Sequence, residues 1–399
     1  MPIKLEQRFV ADEKSVVYKR AGLKGLLYRT LPTGAYDYLR GARLKLAQSP
    51  VGARLSLARA ATYDTLAKSG LFSGLYYAFG SRTYDREHKA TLTARAKYLR
   101  DVHTGDGNVF VLRRNVHKLE KALVMKPRRE VFALAFIHET VTSYADCVAR
   151  LEAGQLHDTD TLEWSRQVLR VYFGSITKSH PIVEQARAVF EAAARRAPGA
   201  ASVGDQARVP FARQAAPLPS YDSLLQLAQQ RRSVRWFDGR PVPRELLDRA
   251  VVLAGLSPSA CNRQPFRFAI FDDPELCQKV AAIPKGTPGW VHNIPCFLVI
   301  VGTLAAFDRE KDRHIPYIDG ALAAMALCFA LESQGVSSCC VNWPDLAETE
   351  ARMARTLGLS PYERPIMCMA IGYPDMSEKV PYSQKLPLDE LRSYNRVPK

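Results

Sequence analysis

Residues 197–220 read APGAASVGDQARVPFARQAAPLPS, and fifteen of these 24 are Ala, Pro, Gly or Ser. Four are prolines, each of which removes a backbone donor and fixes φ. Such a stretch cannot run through a sheet or an unbroken helix, and it reads as a linker. It leaves about 200 residues in front and about 180 behind, each long enough for its own core. The sequence therefore predicts a mainly helical region over 1–196, a linker over 197–220 and a second domain over 221–399. No internal repeat is evident.

Composition narrows the class. The chain of 399 residues is 47% hydrophobic and 24% charged, which excludes a wholly disordered polymer. Eight cysteines form no CxxC pair, and Cys339 and Cys340 are adjacent. That pattern speaks against a disulfide framework and fits a reducing compartment. Lys4, Glu6 and Arg8 break up the first ten residues, so no signal peptide is expected. The apolar run Ile294–Phe307 is too short to span a bilayer. A cytoplasmic location is the expectation. The eight histidines include no HExxH pair, and no metal site, Walker A or Rossmann fingerprint is expected.

Charge is unevenly spread. Residues 1–130 hold 26 Lys and Arg against 11 Asp and Glu, a formal +15, whereas residues 221–399 hold 21 against 20. A basic front half suggests an anionic partner: a polymer, a membrane surface or a partner protein. Its charges are dispersed rather than blocked, so a solvated basic surface is the equal alternative.

The front half is rich in Ala, Leu and Arg. Helices are permitted over Ala53–Ala67, His117–Met125, Arg129–Glu152, Leu162–Phe173 and Ile182–Arg196. The back half alternates. Helices are predicted over Tyr221–Arg231, from Pro243 through Ala254, over the nearly apolar Gly320–Ser333 and over Glu348–Leu357. Strands are predicted over Phe266–Phe271, Pro295–Val301, Ser337–Asn342 and Pro365–Ile371. This is an α+β domain with helices around a small sheet.

Two clusters carry candidate chemistry. Arg231, Arg232, Ser233 and Arg235 follow a helix; guanidinium forks suit phosphate oxygens, although arginines at a helix end also serve as electrostatic caps. Between a helix and a strand lies SPSACNRQPF, in which Ser259, Asn262, Arg263 and Gln264 offer donors and acceptors for a polar heterocycle. Ordinary caps and turns would use the same residues. Cys261 has no neighbouring His in sequence to activate its thiol.

A helix ending in RRSVRWF, followed by SPSACNRQPF, resembles the nitroreductase family of flavoproteins. The stretch Leu331–Cys340, the segment Ile371-Gly372-Tyr373-Pro374 and the terminal Lys385-Leu386-Pro387-Leu388-Asp389-Glu390 extend the likeness in the same order over about residues 221–395. The resemblance implies a nitroreductase-like FMN-binding fold, a small mixed sheet flanked by helices. It implies that Arg231, Arg232, Ser233 and Arg235 hold the phosphate and ribityl end of FMN. Ser259, Asn262 and Gln264 would approach from its pyrimidine and ribityl side, and Cys340, Val341 and Asn342 would pass the ring, with the Asn342 backbone near flavin N5. Lys385 would reach back to the phosphate.

It further implies a homodimer with flavin at the interface and hydride transfer from NAD(P)H to a small or conjugated acceptor, in tailoring or polysaccharide-related metabolism. Oxidising and desaturating members also exist. The chain departs from the family at Gln384, where arginine is common, at Asn342-Trp343 in place of a glutamate–glycine pair, and at Phe266, where tryptophan is common. His117 to Leu123, with Arg128, Arg129 and Phe132, resembles a segment found in a long subgroup of the family; a salt-bridged surface helix is the alternative. The second functional expectation is a catalytically weak flavin-domain scaffold whose basic front half binds an anionic partner.

Overall fold

A computed structural model describes residues 45, 49–81, 83–103, 108–197, 208–212 and 216–395. The basic residues before 45 lie outside them, and the linker expectation at 197–220 falls partly outside them. Where 208–212 and 216–220 are described, they carry no helix or strand. The chain divides into two compact units between Asp85 and Arg86.

The described part of the first unit is helical. α1 (Pro50–Ala67) starts with Pro50 in its first turn and the Ser49 hydroxyl accepting from Gly52 N–H at 3.1 Å. α2 (Gly70–Leu75) leads into a π-helical turn at Tyr76–Gly80. Leu57, Leu71, Phe72 and Phe79 are exposed, and in these three helical segments only Gly52 is buried.

The second unit begins with helices. α3 (Asp85–His103) is strongly polar, and its buried residues Ala90, Ala94 and Tyr98 recur once per turn. α4 (Val109–Leu123), α5 (Ile137–Glu152), α6 (Thr159–Ser175) and α7 (Pro181–Arg196) bury Leu112, Leu119, Ile137, Tyr144, Leu169, Tyr172 and Phe190 in one core. Asn108 caps α4 by accepting from two backbone N–H groups. The helix expected from Arg129 starts only at Ile137: Ala133 takes a left-handed φ of 64°, and Phe136 is the cap residue.

The rest is a sheet between helices. α8 (Tyr221–Gln230) and α9 (Arg244–Gly255) precede β1 (Phe266–Phe271); α10 (Pro274–Ala281) leads to β2 (Cys296–Thr303). α11 (Ile315–Glu332), β3 (Ser337–Val341), α12 (Ala347–Leu357), β4 (Glu363–Gly372) and α13 (Leu388–Leu391) follow. Strand order is β1-β2-β4-β3, with all three ladders antiparallel. A parallel bridge between Ser233 and Ser338 makes the sheet mixed.

Both faces are covered, so the strands are apolar on both sides. Phe297 and Val299 join Cys368, Ala370 and Met353 of α12 on one face; Leu298 and Ile300 join Met369, Leu327 and Leu331 of α11 on the other. α11 lies so close to the sheet that a Cβ at Gly320 would meet Ile366 Cδ1 at 2.6 Å. Residues Glu310–Glu332 are long and apolar enough to cross a membrane by length and composition, and half of that stretch is buried here against the sheet and its helices.

Candidate functional site

Helix α8 ends where Arg231 N–H bonds Leu227 O at 3.0 Å. The chain then extends along the edge of β3. Val234 N–H donates to Ser338 O at 3.2 Å, and Ser233 pairs with Ser338. Asn293 fixes the next turn: its Oδ1 accepts from Phe237 N–H at 2.7 Å, and its Nδ2 donates to Arg235 O at 2.9 Å. The pairing lays Arg231, Arg232, Ser233 and Arg235 beside the strand that carries Cys340 and Val341 and runs on to the exposed Asn342.

The C-terminal arm joins the same group. Arg232 Nη1 donates to Tyr382 O at 2.8 Å, and its guanidinium lies 6.0 Å from the Tyr382 ring. That contact brings the segment bearing Lys385 to the arginines. Arg231 is half-buried, and its Nε is buried without a hydrogen-bond partner. A guanidinium donor withheld from both water and protein acceptors is a standing cost, relieved by an anion placed against it.

Two thiols share this edge. Cys328 Sγ of α11 lies 3.7 Å from Cys340 Sγ and accepts from Ser338 Oγ at 3.6 Å. The Cys340 hydrogen bond lowers the Cys328 thiol to about 7 against the opposing effect of burial, with help from Ser338 and Arg231. Cys340 is pushed up in return, first by the same bond and then by burial.

The second group is the loop between α9 and β1. Ser259 Oγ accepts from Gln264 N–H at 3.1 Å, and Gln264 Nε2 donates to Asn262 Oδ1 at 2.9 Å. Cys261, Asn262 and Gln264 all adopt left-handed φ values between 51° and 53°. Such residues cost on the order of 1–3 kcal/mol each unless their surroundings fix them. Here Ala260 N–H bonds Asp319 Oδ2 at 3.1 Å, and Arg113 Nε of α4 bonds Asn262 O at 3.0 Å. Arg113 is held in turn by Thr161 Oγ1 at 2.7 Å and Asp158 at 3.7 Å. Burial raises the Asp319 carboxyl, with the Ala260 N–H and Arg263 opposing.

Among the described residues, no hydrogen bond or ion pair joins Ser259, Asn262 and Gln264 to the Arg231–Asn342 group. Sequence reading missed Arg113, Asp319 and Asn293, because each acts from a distant part of the chain. Asp319 stands one residue before the predicted apolar helix Gly320–Ser333 and falls inside the observed helix, which starts at Ile315.

The model of the nitroreductase family matches residues 228–287 and 277–373. Iodotyrosine deiodinase 1 of Homo sapiens is 25% identical over 194 residues, covering 42% of this chain and 66% of that protein. The chain thus spans 66% of the length of this deiodinase, just under two thirds. A putative NAD(P)H nitroreductase of Streptococcus pyogenes is 26% identical over 205 residues, covering 42% of this chain and 96% of the relative. Among solved structures, an FMN-dependent nitroreductase from Clostridium difficile R20291 aligns with a TM-score of 0.38 at 20% identity, covering 43% of this chain and 99% of its own.

Proposed function

We propose that the C-terminal nitroreductase-like domain of this chain, matched to the family over residues 228–373 and preceded by a helical extension, is an FMN-dependent oxidoreductase that acts as a homodimer. The observation that carries this reading is the buried, unpartnered Nε of Arg231, set beside Arg232 and the arm of Lys385 at the edge of β3. Those donors fit the phosphate of FMN: two adjacent arginines, a serine and a lysine, with no carboxylate bonded to Arg231 or Arg232 among the described residues. Ser259, Asn262 and Gln264 offer the mixed donors and acceptors that a heterocycle's polar edge needs.

Bound FMN would supply the redox chemistry, moving a hydride between NAD(P)H and a small or conjugated acceptor. The streptococcal relative's name, a putative NAD(P)H nitroreductase, supports that donor. The protein's share is binding and orientation. Arg231, Arg232, Ser233 and Lys385 neutralise and hold the phosphate, and Arg235 extends that field. The strained 259–264 loop presents its side chains preset, and Cys340, Val341 and Asn342 form the wall along the ring, with the Asn342 backbone nearest the reactive nitrogen. Preset donors cost no reorganisation during reaction.

Exposed apolar surface supports the homodimer, as does the lack of any hydrogen bond or ion pair between the two groups of site residues among the described residues. Ile318, Leu322 and Met325 form an exposed stripe on α11, and Met376, Tyr382 and Leu386 are exposed on the arm. A contiguous stripe of this kind marks a contact surface. A second copy would cover it and bring its own 259–264 loop to the Arg231 group. The 197–220 segment would connect the extension to this domain, in a cytoplasmic setting.

The test is an FMN titration followed by flavin fluorescence. Tight binding that weakens in Arg231→Ala and Arg232→Ala is expected. A well-folded dimer that takes up no flavin would sink the proposal.

The basic front half favours a second role alongside the first. Its formal +15 over residues 1–130, with Leu57, Phe72 and Phe79 exposed, suits an anionic partner such as a polymer or membrane surface. Binding that falls steeply with salt is expected; absence of binding at low salt would remove this role.

A further inference from the structure

The seam between the helical extension and the 259–264 loop holds four cations: Arg113, Arg114, Lys118 and Arg263. Two are paired. Arg113 faces Asp158 at 3.7 Å, and Arg114 bonds Glu139 at 2.7 Å, the Tyr98 hydroxyl at 2.9 Å and Asn115 at 3.0 Å. The other two form no ion pair with any described carboxylate.

Arg263 is 8% exposed. Its Nε is buried without a partner, and among the described residues its guanidinium makes one hydrogen bond, a long contact of 3.5 Å from Nη1 to Ala260 O. The guanidinium lies 4.7 Å from the Phe307 ring centroid, a weak substitute for a counter-charge. Burial raises the Asp319 carboxyl against the opposing field of Arg263, and Asp319 Oδ2 accepts from Ala260 N–H and forms no ion pair with Arg263. Arg364, equally enclosed elsewhere in this unit, has both Asp345 and Glu350 within 3.2 Å.

Lys118 stands close by. Its Nζ lies 4.8 Å from the Phe136 ring centroid, and burial and then Arg114 disfavour its charged form, with Arg263 adding to the repulsion. Glu139 and Cys261 act the other way without forming a bond to it. The Tyr98 hydroxyl is buried and accepts from Arg114, which leaves its own proton to donate. An enclosed guanidinium whose Nε has no partner, and a lysine ammonium on α4 with no bonded carboxylate among the described residues, are costly unless an anion completes the set.

We propose that Arg263 and Lys118, with the Tyr98 hydroxyl that accepts from Arg114 as a further donor, form an oxyanion subsite for the carboxylate or phosphate group of a small acceptor molecule. The proposal rests on the flavin reading in one respect: the same loop that carries Arg263 carries Asn262 and Gln264 to the flavin. The helical extension, which supplies Lys118 and Tyr98 from outside the family match, then selects the substrate. The enclosure of Arg263 suits a single terminal group on a small molecule better than a continuous polymer.

The test uses the full chain, with FMN content first measured by absorbance. Inorganic phosphate and, separately, benzoate are titrated calorimetrically at low ionic strength. Saturable one-site binding is expected, weakened at least tenfold by Arg263→Gln and by Lys118→Met and unchanged by Arg240→Gln, an exposed arginine outside the seam. The Arg263→Gln and Lys118→Met proteins should melt no lower than the parent without added anion, because each removes an uncompensated charge. Tighter phosphate or tighter benzoate names the group the subsite takes. No saturable binding, or binding intact in the double variant, overturns the proposal. So does phosphate displaced one-for-one by FMN, which would put the anion at Arg231 and Arg232. A protein that binds these anions but never FMN would retain the subsite and lose the flavin reading.

Discussion

Arg113 Nε donates to the backbone carbonyl of Asn262 at 3.0 Å, joining α4 to a loop 149 positions later in the chain. The loop's left-handed residues are thereby held from outside the domain that matches the nitroreductase family. Arg113→Ala removes that brace and should weaken FMN binding about tenfold, equivalent to about 1.4 kcal/mol. Arg113→Lys should restore little, since an ammonium cannot reproduce the guanidinium fork to Asn262 and Thr161. Flavin titration of both variants checks this; affinity equal to the parent's would contradict it.

Gly372 closes β4 where a Cβ would meet Phe237 Cδ1 and Pro295 Cγ at 2.7 Å each. Both neighbours are ring atoms, Phe237 buried in the core and Pro295 half-buried. Gly372→Ala should therefore destabilise the fold by about 1–3 kcal/mol through overpacking. Urea unfolding measures it, and an unchanged midpoint would contradict the packing described.

Glu350 accepts from Arg364 and from Trp343 Nε1 at 2.9 Å, in a largely buried pair. Glu350→Gln leaves the Arg364 charge with Asp345 alone and should cost about 3 kcal/mol. Replacing Arg364 by Met together with Glu350→Gln should recover part of that loss, because the stranded charge goes too. Unfolding midpoints of the single and double variants decide the matter.

Asp319 carries a pH signature. Burial raises its carboxyl, so the folded chain holds that proton to higher pH than the unfolded chain does. Stability is therefore lost as pH rises from the ordinary carboxylate range through the folded-state value. Asp319→Asn keeps an acceptor for Ala260 N–H without the buried charge. It should raise stability near pH 7, with the gain shrinking as pH falls towards 4. A gain independent of pH would contradict the assignment.

The strands were legible almost to the residue. Phe266–Phe271 is bounded by Pro265 and by Asp272-Asp273, and its apolar run admits no other element of that length. α3 was missed because its one buried residue per turn is Ala90, Ala94 or Tyr98 in an otherwise polar sequence, which leaves little apolar periodicity to read. α10 was missed although Asp273-Pro274-Glu275 is a regular start signal; the element has only 8 residues. Of the candidate site, the clusters next to one another in sequence could be proposed from it: Arg231 to Arg235, and Ser259 to Gln264. Arg113 and Lys118 were not assignable to it, because only the folded packing of α4 on the loop brings them there.

The central claim is that this chain binds FMN and reduces it from a nicotinamide donor. The visible spectrum of the purified protein, recorded before and after anaerobic addition of NADH and then NADPH, tests it most directly. A yellow protein that bleaches with at least one donor is expected. A colourless protein that also refuses added FMN would contradict it.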